Sequence, residues 1–192
     1  MWQAFTRLIS ELCTPDNDAM QTAQPFFREV RLKKGTYFVR EGEVCTQLAF
    51  ISTGLFRSFY INDRGEEITY CFAKEGEMET SFESFLSSMP SSLSIVAMED
   101  ATLLVIEKED LNSLLEHYLF WNKISRLLTE AEYLKMTRHA AESKTESAGV
   151  KYRNLMSQHP DLLQRVPLHY IASYIGISNR HLTRLRKELI TG

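Results

Sequence analysis

Histidine is absent from residues 1–116 of this 192-residue chain. A metal-dependent β-barrel enzyme needs several imidazoles that point into one barrel, so this absence argues against that class. The chain has three widely separated cysteines and no C-x-x-C pair for zinc or an iron–sulfur cluster: Cys13, Cys45 and Cys71. It also has no G-x-S-x-G, Walker or H-E-x-x-H motif. We therefore predict no enzyme, no cofactor and no bound metal.

Long apolar runs are missing as well. No segment approaches the roughly 18 apolar residues that a membrane span needs. Arg7 and Glu11 lie in the apolar N-terminal segment, which does not suit the core of a signal peptide. Together with cysteines that we expect to be reduced, these absences predict a cytoplasmic protein without a membrane partner.

Basic residues are scarce in the middle of the chain and dense at its end. No Lys or Arg occurs between Lys74 and Lys108, whereas residues 151–192 hold seven Lys and Arg against Asp161 and Glu188. The formal net charge is therefore +5 for this tail and −8 for residues 1–150, although it is −3 for the whole chain. Such a division predicts an acidic body and a tail that faces a polyanion.

Short apolar and β-branched runs separated by turns follow a predicted helix and polar connection in residues 1–24. The glycine of Asn62-Asp63-Arg64-Gly65 is placed for a hairpin turn. Many short strands joined by such turns predict a small sandwich or barrel. The predicted strands occupy residues 27–32, 36–39, 47–52, 55–61, 67–72, 94–98 and 101–106.

A helical period begins near Leu111 and continues to about Ser143 without Gly or Pro. Apolar residues recur there at spacings of four, three, four and three, which places on one face Phe120, Ile124, Leu127, Ala131 and Leu134. Such a helix can lie on its own barrel or pair in parallel with the same helix of a second copy. We favour the pairing, because an isolated helix of this length needs a partner to bury its second face.

The end of the chain has the pattern of a helix-turn-helix. Residues 143–149 are the predicted boundary before it. The interior positions suit two crossing helices and a tight turn: Ile171, Ala172, Ile175, Gly176, Ile177, Leu182 and Leu185. Arg can read guanine, Asn can read adenine, and Lys or Thr can bind phosphates. The residues predicted to contact DNA are the helix-capping Ser178 and the outward-facing Asn179, Arg180, His181, Thr183, Arg184 and Lys187.

This order of elements resembles the Crp/Fnr superfamily of bacterial transcription regulators. The resemblance covers nearly the whole chain and depends in its first part on residues 32–35 (LKKG), 40–43 (REGE), 50–57 (FISTGLFR), 76–77 (GE) and 94–101 (SIVAMEDA). It implies an α+β protein in three parts. These are a cyclic-nucleotide-binding-like β-roll similar to a double-stranded jelly roll at residues 1–110, a long dimerisation helix at 111–143, and a helix-turn-helix domain at 144–192.

The resemblance also implies which residues read DNA. Family members use early and middle outer residues of the recognition helix, which correspond to Asn179, Arg180 and Arg184. RNA polymerase is a further partner expected of such a regulator. Because the chain ends at Gly192, we expect no full C-terminal wing, and therefore weaker DNA binding that depends more on the dimer.

One site departs from the family. Members that bind cyclic nucleotides use a Gly-Glu pair and, further along, an Arg followed by Ser or Thr that pairs with the cyclic phosphate. Gly76 and Glu77 fit the first part, but Ser91, followed by Ser92, stands where the Arg would be. A charge-assisted bond to phosphate contributes roughly 1.5–3 kcal/mol, so we predict that cyclic AMP is not the effector. These four residues are the predicted contacts for an effector of another kind, whose identity stays open.

These patterns together predict a homodimeric, sequence-specific transcription regulator. Two recognition helices related by a two-fold axis would enter successive major grooves about 34 Å apart. The operator is therefore predicted to be an inverted repeat in double-stranded DNA. The alternative is a β-roll sensor or scaffold whose helix-turn-helix no longer binds DNA.

Overall fold

The structure, a computed structural model, describes residues 1–191, with residues 189–191 described by their backbone alone. The chain divides into two compact units. The first comprises residues 1–60 and 71–131, and the second comprises residues 61–70 and the chain from residue 132 onward. The prediction that no wing follows the last helix concerns Gly192, which lies outside the described residues.

Two four-stranded antiparallel sheets form the predicted roll. Their orders are β1-β8-β3-β6 and β2-β7-β4-β5. Seven strands lie where they were predicted, whereas β6 was not predicted because two residues are too few to show a period. The strands are β1 Arg28–Leu32, β2 Tyr37–Val39, β3 Gln47–Thr53, β4 Leu55–Ile61, β5 Glu67–Lys74, β6 Met78–Glu79, β7 Ser94–Ala97 and β8 Ala101–Glu107.

The space between the sheets is apolar because alternate residues of each strand point into it. Its buried side chains are those of Val39, Cys45, Ala49, Ile51, Phe56, Ala73, Ile95, Ala97, Ala101, Leu103 and Val105. The central strands β3 and β8 are buried on their other face too, where Phe50, Leu104 and Ile106 meet helices. Burial on both faces explains why these two strands contain continuous apolar runs.

Helices form a second core on that outer face. The helices that contribute to this core are α1 (Trp2–Leu12), α2 (Asn17–Ala23), α4 (Lys108–His117) and the first turns of α5 (Leu119–Thr145). The short helix α3 (Phe82–Ser87) lies between β6 and β7 in the chain. The Trp121 indole N–H donates to the Ala19 carbonyl at 3.1 Å. We did not predict α2, although the Asp16 carboxylate caps it by accepting from the Asp18 and Ala19 N–H groups, both at 3.1 Å.

The segment 111–143, predicted as one helix, is interrupted. Helix α4 ends at His117, Tyr118 has an extended backbone with φ −132° and ψ 112°, and α5 begins at the next residue. The Tyr118 side chain packs against the helical core, and the Asn122 side-chain amide donates to the Leu115 and Tyr118 carbonyls. Tertiary packing therefore fixes a break that no Gly or Pro marks in the sequence.

The helices after α5 are α6 (Ala148–Gln158), α7 (Leu162–Arg165), α8 (Leu168–Ile175) and α9 (Asn179–Thr191). The Ser147 hydroxyl caps α6 by accepting from the Val150 N–H at 3.4 Å, so the predicted boundary at 143–149 contains a short break between helices. The antiparallel roll followed by helices confirms the predicted α+β fold. Among the described helices, none is long and apolar enough to cross a membrane.

Candidate nucleic-acid interface and effector site

The turn between α8 and α9 has the geometry that the sequence predicted. Gly176 has φ +86°, a left-handed conformation that costs glycine least. Its N–H and that of Ile177 donate to the Ala172 carbonyl, each at 3.0 Å, which ends α8. The Ser178 hydroxyl accepts from the His181 N–H at 3.2 Å, which caps α9 as predicted. The turn therefore fixes where α9 begins.

The interior of this helix pair is apolar, and the outer face of α9 is polar. Ile171, Ala172 and Leu182 are buried between the helices, with Leu182 fully enclosed. The predicted DNA contacts are all exposed: Ser178, Asn179, Arg180, His181, Thr183, Arg184 and Lys187. We call this set the α9 face. The cationic side chains of Arg180, Arg184 and Lys187 are therefore accessible to a ligand from solvent. The Asn179 amide is accessible as well.

Two side chains of the α9 face are already engaged within the helix. The Thr183 hydroxyl donates to the Asn179 carbonyl at 2.9 Å, and it can still accept a bond. Arg184 Nε lies 3.7 Å from a Glu188 carboxylate oxygen, and both side chains are well exposed. An exposed pair of this kind contributes at most about 1 kcal/mol, so a stronger acceptor can displace it.

The predicted dimer stripe on α5 lies in two environments. Phe120 and Ile124 pack into the helical core of the first unit, and Ile124 is only 2% exposed. Leu127 is half-buried, whereas Ala131 and Leu134 are exposed. Ile124 is therefore buried by its own chain, and only the later part of the stripe is accessible to a second copy.

Two exposed apolar residues elsewhere on this part of α5 were not included in the predicted stripe. Tyr133 is 68% exposed and Met136 is 42% exposed, compared with 64% for Leu134. Spacing alone did not select them, because they follow a different helical row. At about 100° per residue, Tyr133 and Met136 lie on the opposite side of the helix from Ala131 and Leu134. We call Ala131 and Leu134, which are both exposed and continue the predicted stripe, the exposed α5 face.

The Gly76-Glu77 pair of the predicted effector site forms a tight turn before β6. The Gly76 N–H donates to the Ile51 carbonyl at 2.9 Å. The Glu77 carboxylate accepts from the Lys74 N–H, also at 2.9 Å. This carboxylate is thus bonded to the backbone of its own turn.

The two serines of the predicted effector site face different partners. Ser91 is buried at 3% exposure, and its hydroxyl bonds the Ser81 hydroxyl and donates to the Leu93 carbonyl, both at 2.7 Å. The exposed Ser92 hydroxyl donates to a Glu83 carboxylate oxygen at 2.9 Å. The groups that these two serines bond are therefore a hydroxyl, a backbone carbonyl and a carboxylate.

Tyr60 is a further polar residue near this end of the roll that the sequence reasoning missed. Burial, followed by the influence of Cys71 and Glu83, raises the pKa of the Tyr60 hydroxyl above its ordinary value. The phenol therefore stays neutral, and it can donate a hydrogen bond. A separation of 23 residues between Tyr60 and Glu83 hides this proximity in the sequence.

Comparison with known proteins identifies the fold of this chain. Residues 29–118 match the family of the cyclic nucleotide-binding domain. The described chain has the fold of Crp/Fnr-type regulators, with an N-terminal antiparallel roll and C-terminal helices. No curated protein sequence matches the chain significantly.

Three solved structures illustrate this likeness. The c-di-GMP-responsive global regulator CLP from Xanthomonas campestris shares 19% identity over 92% of both chains, with a TM-score of 0.72. A structure from Eubacterium rectale assigned to the Crp/Fnr family of transcriptional regulators shares 17% identity over 93% of this chain and 85% of that chain, with a TM-score of 0.72. The catabolite activator protein from Thermus thermophilus shares 20% identity over 92% of this chain and 84% of that chain, with a TM-score of 0.58.

Proposed function

We propose that this protein is a homodimeric transcription regulator that binds double-stranded DNA at specific sequences. The observation that carries the proposal is the α9 face, on which Arg180, Arg184 and Lys187 are exposed beyond a capped turn. The second helix of such a motif enters the major groove, while its first helix crosses the backbone. The basic tail and acidic body agree with this orientation toward DNA.

Base reading in this proposal depends on three side chains. Arg180 and Arg184 each present a planar fork that matches the O6 and N7 acceptors of guanine, and the Asn179 amide matches N6 and N7 of adenine. Ser178 and Lys187 would bind phosphates, which positions the helix without reading sequence. His181 and Thr183 lie on the same face and would contact either groove edges or phosphates.

Dimerisation is assigned to the exposed α5 face together with Leu127. Exposed apolar side chains on one helix lose contact with water when a second copy covers them. A two-fold axis makes the contact self-complementary, and it sets the spacing of the two α9 helices. The operator expected from this arrangement is an inverted repeat with half-sites about one helical turn, or about 34 Å, apart.

The roll is proposed to respond to something other than cyclic AMP. A cyclic phosphate needs a cation, but the Ser91 hydroxyl already bonds two oxygens and the Glu83 carboxylate lies one hydrogen bond from Ser92. Placing an anion beside a carboxylate costs free energy instead of releasing it. Any effector held by Gly76, Glu77, Ser91 and Ser92 would therefore be neutral or cationic at this end.

Titration of labelled duplex DNA with the full chain at increasing salt tests DNA binding. Neutralising roughly six phosphates predicts about a thousandfold loss of affinity between about 50 and 200 mM salt. Arg184→Ala is expected to weaken binding roughly tenfold to a hundredfold. Lys123→Ala, which removes the same charge from an exposed position on α5, is the matched control and should change little. Affinity that is independent of salt and of Arg184 would favour the non-DNA sensor or scaffold.

A further inference from the structure

The hairpin at residues 61–70 contacts the first helix of the helix-turn-helix within the second unit. The Thr69 N–H donates to the Ser173 hydroxyl at 2.9 Å. The same hydroxyl donates to the Glu67 carbonyl at 3.2 Å. One α8 side chain therefore bonds a donor and an acceptor of the same strand, and Thr69 is buried.

The position of β5 explains why such a contact is needed. β5 is the last strand in the order β2-β7-β4-β5, so only one of its edges is paired within the sheet. Residues 67 and 69 are two apart and direct their backbone polar groups to the same edge. An edge strand needs partners for these groups, and a serine hydroxyl supplies both a donor and an acceptor.

An aromatic contact lies beside this bond. The His139 ring of α5 meets the Tyr70 ring edge-on at a centroid distance of 5.5 Å. It stacks on the Tyr174 ring of α8 at 5.7 Å. Tyr70 and Tyr174 follow directly after Thr69 and Ser173, so the two contacts act on the same pair of elements. We call the Ser173 bonds and the His139 ring contacts the latch.

We infer that the latch positions the DNA-reading helix, with Ser173 and His139 as positioning residues that touch no DNA themselves. The inference rests on the proposed function. Helices α8 and α9 pack through Ile171 and Leu182, which are fully buried, so α9 follows α8. Restraining α8 before binding removes part of the ordering cost that association otherwise carries.

Burial of His139 and the charges around it set how the latch responds to pH. Tyr70 faces the imidazole from β5 and Tyr174 from α8. Burial is the main cause that lowers the pKa of His139; Lys151 and Lys135 lower it further, and Glu142 opposes them. An undocked histidine has a pKa of about 6.5, so below this pH the open latch takes up a proton more readily than the closed one. Acidification therefore favours opening.

Amide hydrogen exchange of the full chain without DNA tests the latch independently of the proposed function. Ser173→Ala is expected to speed exchange at Thr69 about tenfold, because one hydrogen bond to a buried amide is lost. Ser173→Thr keeps the hydroxyl and should restore protection. Ser157→Ala is the matched control, since it removes an α6 hydroxyl that also bonds a backbone carbonyl. Unchanged exchange at Thr69 in Ser173→Ala would overturn the latch.

DNA affinity of the same variants tests the positioning role. Ser173→Ala is expected to raise Kd about tenfold, with Ser173→Thr and Ser157→Ala near the wild type. Faster exchange with unchanged or tighter DNA binding would show that the latch exists but does not position α9 for reading, which overturns the inference. If no variant and no wild-type protein binds DNA, the proposed function fails while the exchange result still decides the latch.

Discussion

Replacing Leu134 with Ala is expected to weaken a dimer without unfolding the protomer. Leu134 is 64% exposed on α5, so its loss changes the free energy of unfolding of an isolated protomer by less than about 0.5 kcal/mol. Full burial of such a side chain contributes roughly 1.5–3 kcal/mol, of which about two-thirds is available to a partner. A two-fold axis places the same contact in both protomers, so the substitution weakens the dimer by about 3 kcal/mol, which raises its Kd about a hundredfold.

Ile124 provides the matched comparison on the same helix. It is 2% exposed and packs beside Trp121 in the core of its own unit. Ile124→Ala leaves a cavity and is expected to lower the free energy of unfolding by about 3 kcal/mol. It removes no surface that a second copy could cover, so the dimer Kd of the folded protein should change little.

Sedimentation velocity over a wide concentration range measures the dimer Kd, and urea unfolding at several concentrations separates folding from dissociation. The expected results are a dimer defect in Leu134→Ala alone and a stability defect in Ile124→Ala alone. A Kd for Leu134→Ala equal to that of the wild type would refute the assignment of the interface to the exposed α5 face. An unchanged unfolding free energy in Ile124→Ala would refute the packing argument.

Two further predictions concern the roll and the latch. Cyclic AMP and cyclic GMP are expected not to bind, because Ser91 offers the phosphate no cation. A ligand that binds the native state must stabilise it, so thermal denaturation with each nucleotide should give an unchanged Tm. Lowering the pH from about 7.5 to about 5.5 is expected to speed amide exchange at Thr69 beyond the intrinsic effect of pH on exchange, because opening allows His139 to be protonated. Exchange rates corrected with those of an unstructured peptide at each pH measure this effect.

Each of these has a control and a contradicting result. A large, saturable rise in Tm with either nucleotide would contradict the argument from Ser91. His139→Phe keeps a ring between the two tyrosines but cannot titrate, so it should remove the pH effect on exchange. His117→Gln changes an exposed histidine in the other unit and should leave the effect intact. Persistence of the effect in His139→Phe would show that another group is responsible.

The roll and the helix-turn-helix could be predicted because local pattern and tertiary structure agree there. β3 and β8 are buried on both faces, so their composition identifies them as strands without further context. Gly176 and Ser178 perform the turn and capping roles that their chemistry favours. In both regions, neighbouring residues carry the information that defines the element.

Features that depend on distant residues could not be predicted. The break at Tyr118 follows from packing of its side chain against the helical core, and the sequence around it would continue a helix equally well. The α5 stripe is divided because its own chain covers Ile124. Helical spacing alone does not show whether the same chain or a second copy covers a residue. The latch joins Thr69 to Ser173 across 104 positions, and no short motif marks either residue.

Selection of bound sequences from random duplex DNA by the purified full chain tests sequence-specific reading by the α9 face most directly. We predict that the recovered sequences share an inverted repeat with half-site centres about one helical turn apart. Arg184→Ala should relax the preference at one position of each half-site. Recovery of no common sequence, or of one that Arg180→Ala and Arg184→Ala leave unchanged, would contradict the assignment of DNA reading to this helix.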